Sequence, residues 1–131
     1  MLLVGCFGTP STKPNEVRGR LPNHSWHGAI GPASYCPACA QAGLITIELG
    51  SHTQLMTTTC FANANAKIGI MQDDSRVQVE AGGTEVIATD GRLEITDCNP
   101  SHIRAKLWAS FPDGGHVEAS IDSNFAEVTG F

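Results

Sequence analysis

His102–Phe111 reads HIRAKLWASF, and its alternation decides the fold. Ile103, Ala105, Leu107 and Ala109 fall on one side, and Arg104, Lys106, Trp108 and Ser110 on the other. Side chains of a β-strand point alternately to opposite faces, so this segment reads as a strand with one face buried and one wet. Trp108 falls on the wet side.

The same period recurs on both sides of it. GLITIEL sets Ile45, Ile47 and Leu49 against Thr46 and Glu48, and HTQLMTTTCF is Thr-rich and β-branched. AKIGIM is expected to carry Ile68 and Ile70 on one face, and RVQVE to carry Val77 and Val79 together. TEVIAT, RLEITDC, HVEASID and FAEV continue the series. The breaks are turn chemistry: Gln72–Ser75, Gly82-Gly83, Asp90-Gly91 and Pro112–Gly115. Asp-Gly is a hairpin signal because Gly accepts a positive φ without steric cost, so Asp90-Gly91 is expected to be a tight hairpin. No segment holds a helical period over three turns. The expectation is all-β: an antiparallel meander forming a sandwich or small barrel of about seven to nine strands, with little helix.

A chain of 131 residues with 41% hydrophobic content fits one folded domain. Aromatic residues make up only 6%, so the core should rest on Val, Ile, Leu, Ala and Thr. The formal net charge is −5 and no run of Lys or Arg occurs, which argues against a nucleic-acid partner. No apolar stretch approaches the roughly 20 residues of a membrane-spanning helix. Phe7–Pro22 (FGTPSTKPNEVRGRLP) has linker composition, so residues 1–22 read as a signal and tether segment and residues 23–131 as one β domain. Asn23–Cys39 is irregular, although Trp26, Ile30 and Tyr35 can lie across a sheet or cap a core.

Leu3-Val4-Gly5-Cys6 resembles the lipobox of bacterial lipoproteins, whose cysteine marks the cleavage and lipidation site. Only five residues precede Cys6, so the stretch reads as the tail of a signal whose basic and longer apolar regions lie upstream of Met1. Gly91–Val128 likewise resembles the closing strands of small exported bacterial lipoprotein domains of unassigned function. That resemblance implies an envelope location and a β-sandwich, and transfers no catalytic residue. A lipid on Cys6 would make the membrane a partner.

Setting Cys6 aside leaves Cys36, Cys39, Cys60 and Cys98, an even number. In an oxidising compartment these four allow three connectivities, of which Cys60–Cys98 joining two strands and Cys36–Cys39 closing a small loop is the expected one. The alternative is a zinc site in which Cys36 and Cys39 join His24 and His27 of the upstream HSWH. A thioredoxin-like pair is rejected, because no long helix can follow Cys39 before the next strand. His52, His102 and His116 stand at or near strand starts, and would bind a metal together only if they converged. Asp73-Asp74 and Asp113–Gly115 read first as solvated turns.

No Gly-x-Ser-x-Gly elbow, phosphate loop or His-Glu-x-x-His motif occurs. The expected function is that of a non-catalytic, exported cell-envelope domain with a structural or binding role and no cofactor, its protein or small-molecule ligand unspecified. The alternatives are the zinc module and a small hydrolase or carbohydrate-binding domain, the latter with Trp26 and Trp108 as a sugar platform.

Overall fold

The computed structural model describes residues 12–128 apart from 23, 40–42, 51, 73 and 82. It is all-β. In chain order the strands are β1 (Glu16–Leu21), β2 (His24–Ala29), β3 (Ala33–Cys36), β4 (Leu44–Glu48), β5 (Thr53–Thr57) and β6 (Ala64–Lys67), followed by β7 (Arg76–Ala81), β8 (Thr84–Ile87), β9 (Asp90–Asn99), β10 (His102–Ser110), β11 (His116–Asn124) and β12 (Glu127–Val128). They form two open six-stranded sheets, β2-β1-β11-β10-β9-β6 and β12-β3-β4-β5-β7-β8. The molecule is therefore a sandwich and not a closed barrel. Pairing is antiparallel except where the short β12 lies parallel to β3.

The HIRAKLWASF segment is β10, and it pairs with β11 through all nine of its residues and with β9 on its other side. Ile103, Ala105, Leu107 and Ala109 are buried there, as the alternation requires. They meet Ile45, Ile47, Leu55, Val77 and Val79 of the second sheet in one apolar core. Two inward hydroxyl groups also enter it: Thr57 Oγ1 and Ser75 Oγ lie 2.6 Å apart, each supplying the other's hydrogen-bond partner.

The expected strand number was too low, because three of the twelve strands lie before Leu44. Glu16–Leu21, which linker composition assigns to the tether, is β1, with Val17 and Leu21 buried and Arg18 and Arg20 outward. Two Arg and one Gly among its six residues, with Pro14 and Pro22 flanking them, mask a short period-two pattern. Trp26, Ile30 and Tyr35 do pack against the core. Trp26 crosses from the edge strand β2, and its Nε1 donates to the Leu49 carbonyl at 3.0 Å, tying the two sheets together.

The meander is also interrupted. β9–β10–β11 and β3–β4–β5 are meanders, but the chain changes sheet between β2 and β3, β5 and β6, β6 and β7, β8 and β9, and β11 and β12. Asp90-Gly91 is therefore no hairpin: it opens β9 just after the crossing from β8. Gly91 has φ 144°, and an added Cβ would lie 2.7 Å from the Ala109 Cα and against the Trp108 carbonyl of β10. Ile68 and Ile70 likewise do not share a face, since Ile68 is fully buried and Ile70 is 58% exposed. The chain leaves the first sheet after Lys67, and the Asp74 carboxylate closes the turn by accepting from the Met71 amide at 3.1 Å. Hairpins join β7 to β8 and β10 to β11, the second through Pro112–Gly115 as expected; Gly82 of the expected Gly82-Gly83 turn lies outside the described residues.

Gly91→Ala should cost about 1–3 kcal/mol, measured by urea unfolding, because the new methyl group meets the β10 backbone at a strained φ. Gly83→Ala should cost less: Gly83 also has a positive φ, 80°, but open space surrounds it. Equal losses would show that close approach of β10 is not what Gly91 serves.

Candidate functional site

The outward faces of the two sheets differ in charge. Arg18, Arg20, Lys67, Arg92, Arg104 and Lys106, six of the chain's eight Lys and Arg residues, sit at outward positions of the first sheet. Outward carboxylates on that sheet include Glu16, Glu94, Glu118 and Asp122. The second sheet presents Thr46, Gln54, Met56 and Gln78 with the acids Glu48, Glu80 and Glu85.

An open groove of about 450 Å³ lies on the charged face over β1, β2 and the start of β11. Register builds it. Arg18 lies opposite His27 on one side and Glu118 on the other, and Arg20 lies between Ser25 and His116. Neighbouring strands stand about 4.8 Å apart, so these outward side chains are adjacent. Trp26 and Gly19 face the other way, with the indole covering Gly19 where any side chain would clash. The carboxyl of Glu16 is held below its ordinary pKa, first by the Lys13 amide, which donates to Oε1 at 3.0 Å, and then by His27, whose Nε2 lies 2.6 Å from Oε2.

A second groove of about 410 Å³ lies further along the same face, beside the segment that precedes β1. Thr12 Oγ1 is 2.6 Å from Ser120 Oγ, which donates to the Thr12 carbonyl at 3.0 Å. Asn15 Oδ1 accepts from the Asp122 amide at 2.8 Å and from Ser123 Oγ at 3.1 Å. The chain thus crosses the outer face of β11 before entering the sheet, which is why the outward Ser120 is only 8% exposed.

The four described cysteines are joined as Cys36–Cys39 and Cys60–Cys98, with Cα separations of 5.4 and 5.1 Å. Two disulfides fit an oxidising compartment. Cys6 lies outside the described residues, as does Asp73. The alternative zinc site is not assembled: its two sulfurs are bonded to each other, and its histidines lie three residues apart on β2 and so face opposite sides. His24 stacks on Trp26 with ring centroids 5.5 Å apart, whereas His27 pairs with Glu16. Among the described residues, no group of three or more His, Cys, Asp or Glu is placed to hold a metal.

His102 and His116 begin β10 and β11 at opposite ends of one hairpin, roughly 25 Å apart by strand rise, so they do not converge. His102 has both ring nitrogens engaged: Nε2 lies 2.6 Å from Asp122 Oδ1 and Nδ1 lies 2.7 Å from Asn124 Oδ1. It has no nitrogen left to activate a nucleophile. Trp26 and Trp108 do not form a common sugar platform, since Trp26 faces Leu49 and Trp108 faces outward beside Arg92 and Glu118. Asp113 closes the hairpin tip by accepting from the Gly115 amide at 3.0 Å.

Arg18, Arg20, Ser25 and Glu118 carry no sequence motif that marks them as site residues, and His116 enters the sequence reading only as one of three histidines that could share a metal. The alternation of EVRGRL carries the signal for the arginines, and the linker-like composition around it hides that signal. No protein-family model, curated protein or solved structure matches this chain.

The lowered pKa of Glu16 fixes the sign of one pH effect. A depressed carboxyl pKa adds stability above the unfolded value, near 4.3, and that stability is lost as pH falls through the folded value. The stability difference between the wild type and Glu16→Gln should therefore shrink from pH 7 to pH 3 in urea unfolding. A difference that stays constant would mean that the Lys13 and His27 contacts do not act on the ionised form.

Proposed function

We propose that this protein is a non-catalytic domain of the bacterial cell envelope, exported and tethered by lipid on Cys6, with a binding or structural role. The carrying observation is the cysteine pairing: two disulfides use Cys36, Cys39, Cys60 and Cys98 and leave Cys6 as the unused fifth cysteine. A lipobox cysteine is the residue such a count should leave over, and it needs no partner because it carries the acyl chains. The entry of the chain supports the same reading. Six residue steps separate Cys6 from Thr12, at most about 20 Å even when fully extended. Because Thr12 is bonded to Ser120, the tether would hold the charged face of the first sheet toward the membrane.

Cys60–Cys98 closes a sequence separation of 38 residues, for which the loop-entropy relation gives about 4 kcal/mol. The Cys60→Ser/Cys98→Ser variant should therefore be less stable by about 2–4 kcal/mol in urea unfolding. In the unfolded, unreduced protein at most one thiol, that of Cys6 before it is lipidated, should react with a thiol reagent, and four further reactive thiols would overturn the oxidised-compartment reading. In a bacterial host, behind an intact signal, Cys6→Ser should move the protein from the membrane fraction to the soluble fraction. Unchanged fractionation would overturn the tether.

A further inference from the structure

We propose that the groove over β1, β2 and the start of β11 binds a phosphate-type oxyanion, with Arg18 and Arg20 as its principal donors and His27, His116 and Ser25 around them. This names a ligand class for the domain and does not depend on the lipid tether, since every residue of the site lies within the folded sandwich.

The first argument is the state of the two guanidinium groups. The chain has 13 Asp and Glu residues against 8 Lys and Arg, so carboxylates are in surplus. Arg92 and Arg104 take them, pairing with Glu94 and Asp122. Neither Arg18 nor Arg20 has a carboxylate within 4.0 Å among the described residues, although both project from one face of a strand that is hydrogen-bonded on both sides. Of the nearby acids, Glu16 is engaged first by the Lys13 amide and His27, with the Arg18 charge a lesser influence on it, and Glu118 lies opposite Arg18 in register.

The second argument is donor count. Each guanidinium offers five N–H donors, and the groove adds the His116 imidazole, the His27 ring nitrogen not engaged by Glu16, and the Ser25 hydroxyl. A single carboxylate, with two oxygens and one charge, uses few of these. A tetrahedral dianion with three peripheral oxygens suits two guanidinium forks that spring from the same face of β1 at backbone positions about 7 Å apart. The third argument is rigidity, because donors carried on a paired strand hold their spacing better than donors on a loop. The Trp26 ring packed over Gly19 fixes β1 from the side opposite the groove.

The test is an amide-shift titration of the uniformly ¹⁵N-labelled protein with inorganic phosphate, with sodium chloride at matched ionic strength and sodium acetate as controls. Phosphate should shift the amides of residues 18–20, 25–27 and 116–118, saturating with a dissociation constant on the order of 1 mM. Acetate should bind more weakly. Arg20→Gln should weaken phosphate binding about tenfold, and Arg18→Gln/Arg20→Gln should abolish it. Both side chains point to solvent, so thermal unfolding of the variants should stay near that of the wild type, which separates lost binding from lost folding. Phosphate shifts no larger than those from chloride, or a response unchanged in the double variant, would overturn the proposal, as would acetate binding as tightly as phosphate. The source of the phosphate group is read in two further arms that depend on the same arginines. Saturable binding of glycerol phosphate assigns a free ester. Binding only to phosphatidylcholine vesicles carrying phosphatidic acid assigns a lipid headgroup.

Discussion

The pairing of β10 on both of its sides is the constraint on which the rest depends. It is bonded to β11 through its whole length and to β9 across a bulge at Thr96, between the Arg104–Asp97 and Ala105–Ile95 pairs. A strand held on both edges cannot slip by one residue without turning Ile103, Ala105, Leu107 and Ala109 out to water. Its register therefore fixes which faces of β9 and β11 are apolar, and through β11 it fixes β1. The outward row of the first sheet, including Arg18 and Arg20, follows from that one choice.

The second sheet is joined to the first by crossings and by a few bonds that span the gap. Trp26 reaches from β2 to the Leu49 carbonyl, and Cys60–Cys98 ties the segment after β5 to β9. Both connect elements far apart in sequence; the disulfide also restricts the unfolded chain, whereas the hydrogen bond holds only the folded one. With aromatic residues scarce, the core is built mainly from Ile, Leu, Val and Ala, and such covalent and cross-sheet ties supplement its modest size.

The candidate site is a by-product of edge geometry in the sheet. β2 is an edge strand, so the groove beside it stays open, while β1 inside the sheet carries the arginines on a rigid backbone. The chain segment from Thr12 to Asn15 lies over the neighbouring part of β11 and occupies the outward positions around Ser120. Open groove and covered groove thus sit side by side on one face, and the difference between them is where the chain enters the sheet.

The sequence by itself determined the strand character of most of the chain, because period-two alternation in segments such as HIRAKLWASF and RVQVE can be satisfied in only one way when one face must leave water. It also made the two cysteine pairs the expected ones. Tertiary structure alone decided the sheet crossings at Ile68–Ser75 and Asp90-Gly91, since turn residues permit a reversal without saying which sheet the chain enters next. It also decided the fate of Glu16–Leu21, whose Arg and Gly content reads as linker until β11 supplies a partner edge. The site belongs to this second class: Arg18, Arg20, Ser25, His27 and His116 come from three strands, nearly a hundred residues apart, and only cross-strand register makes them neighbours.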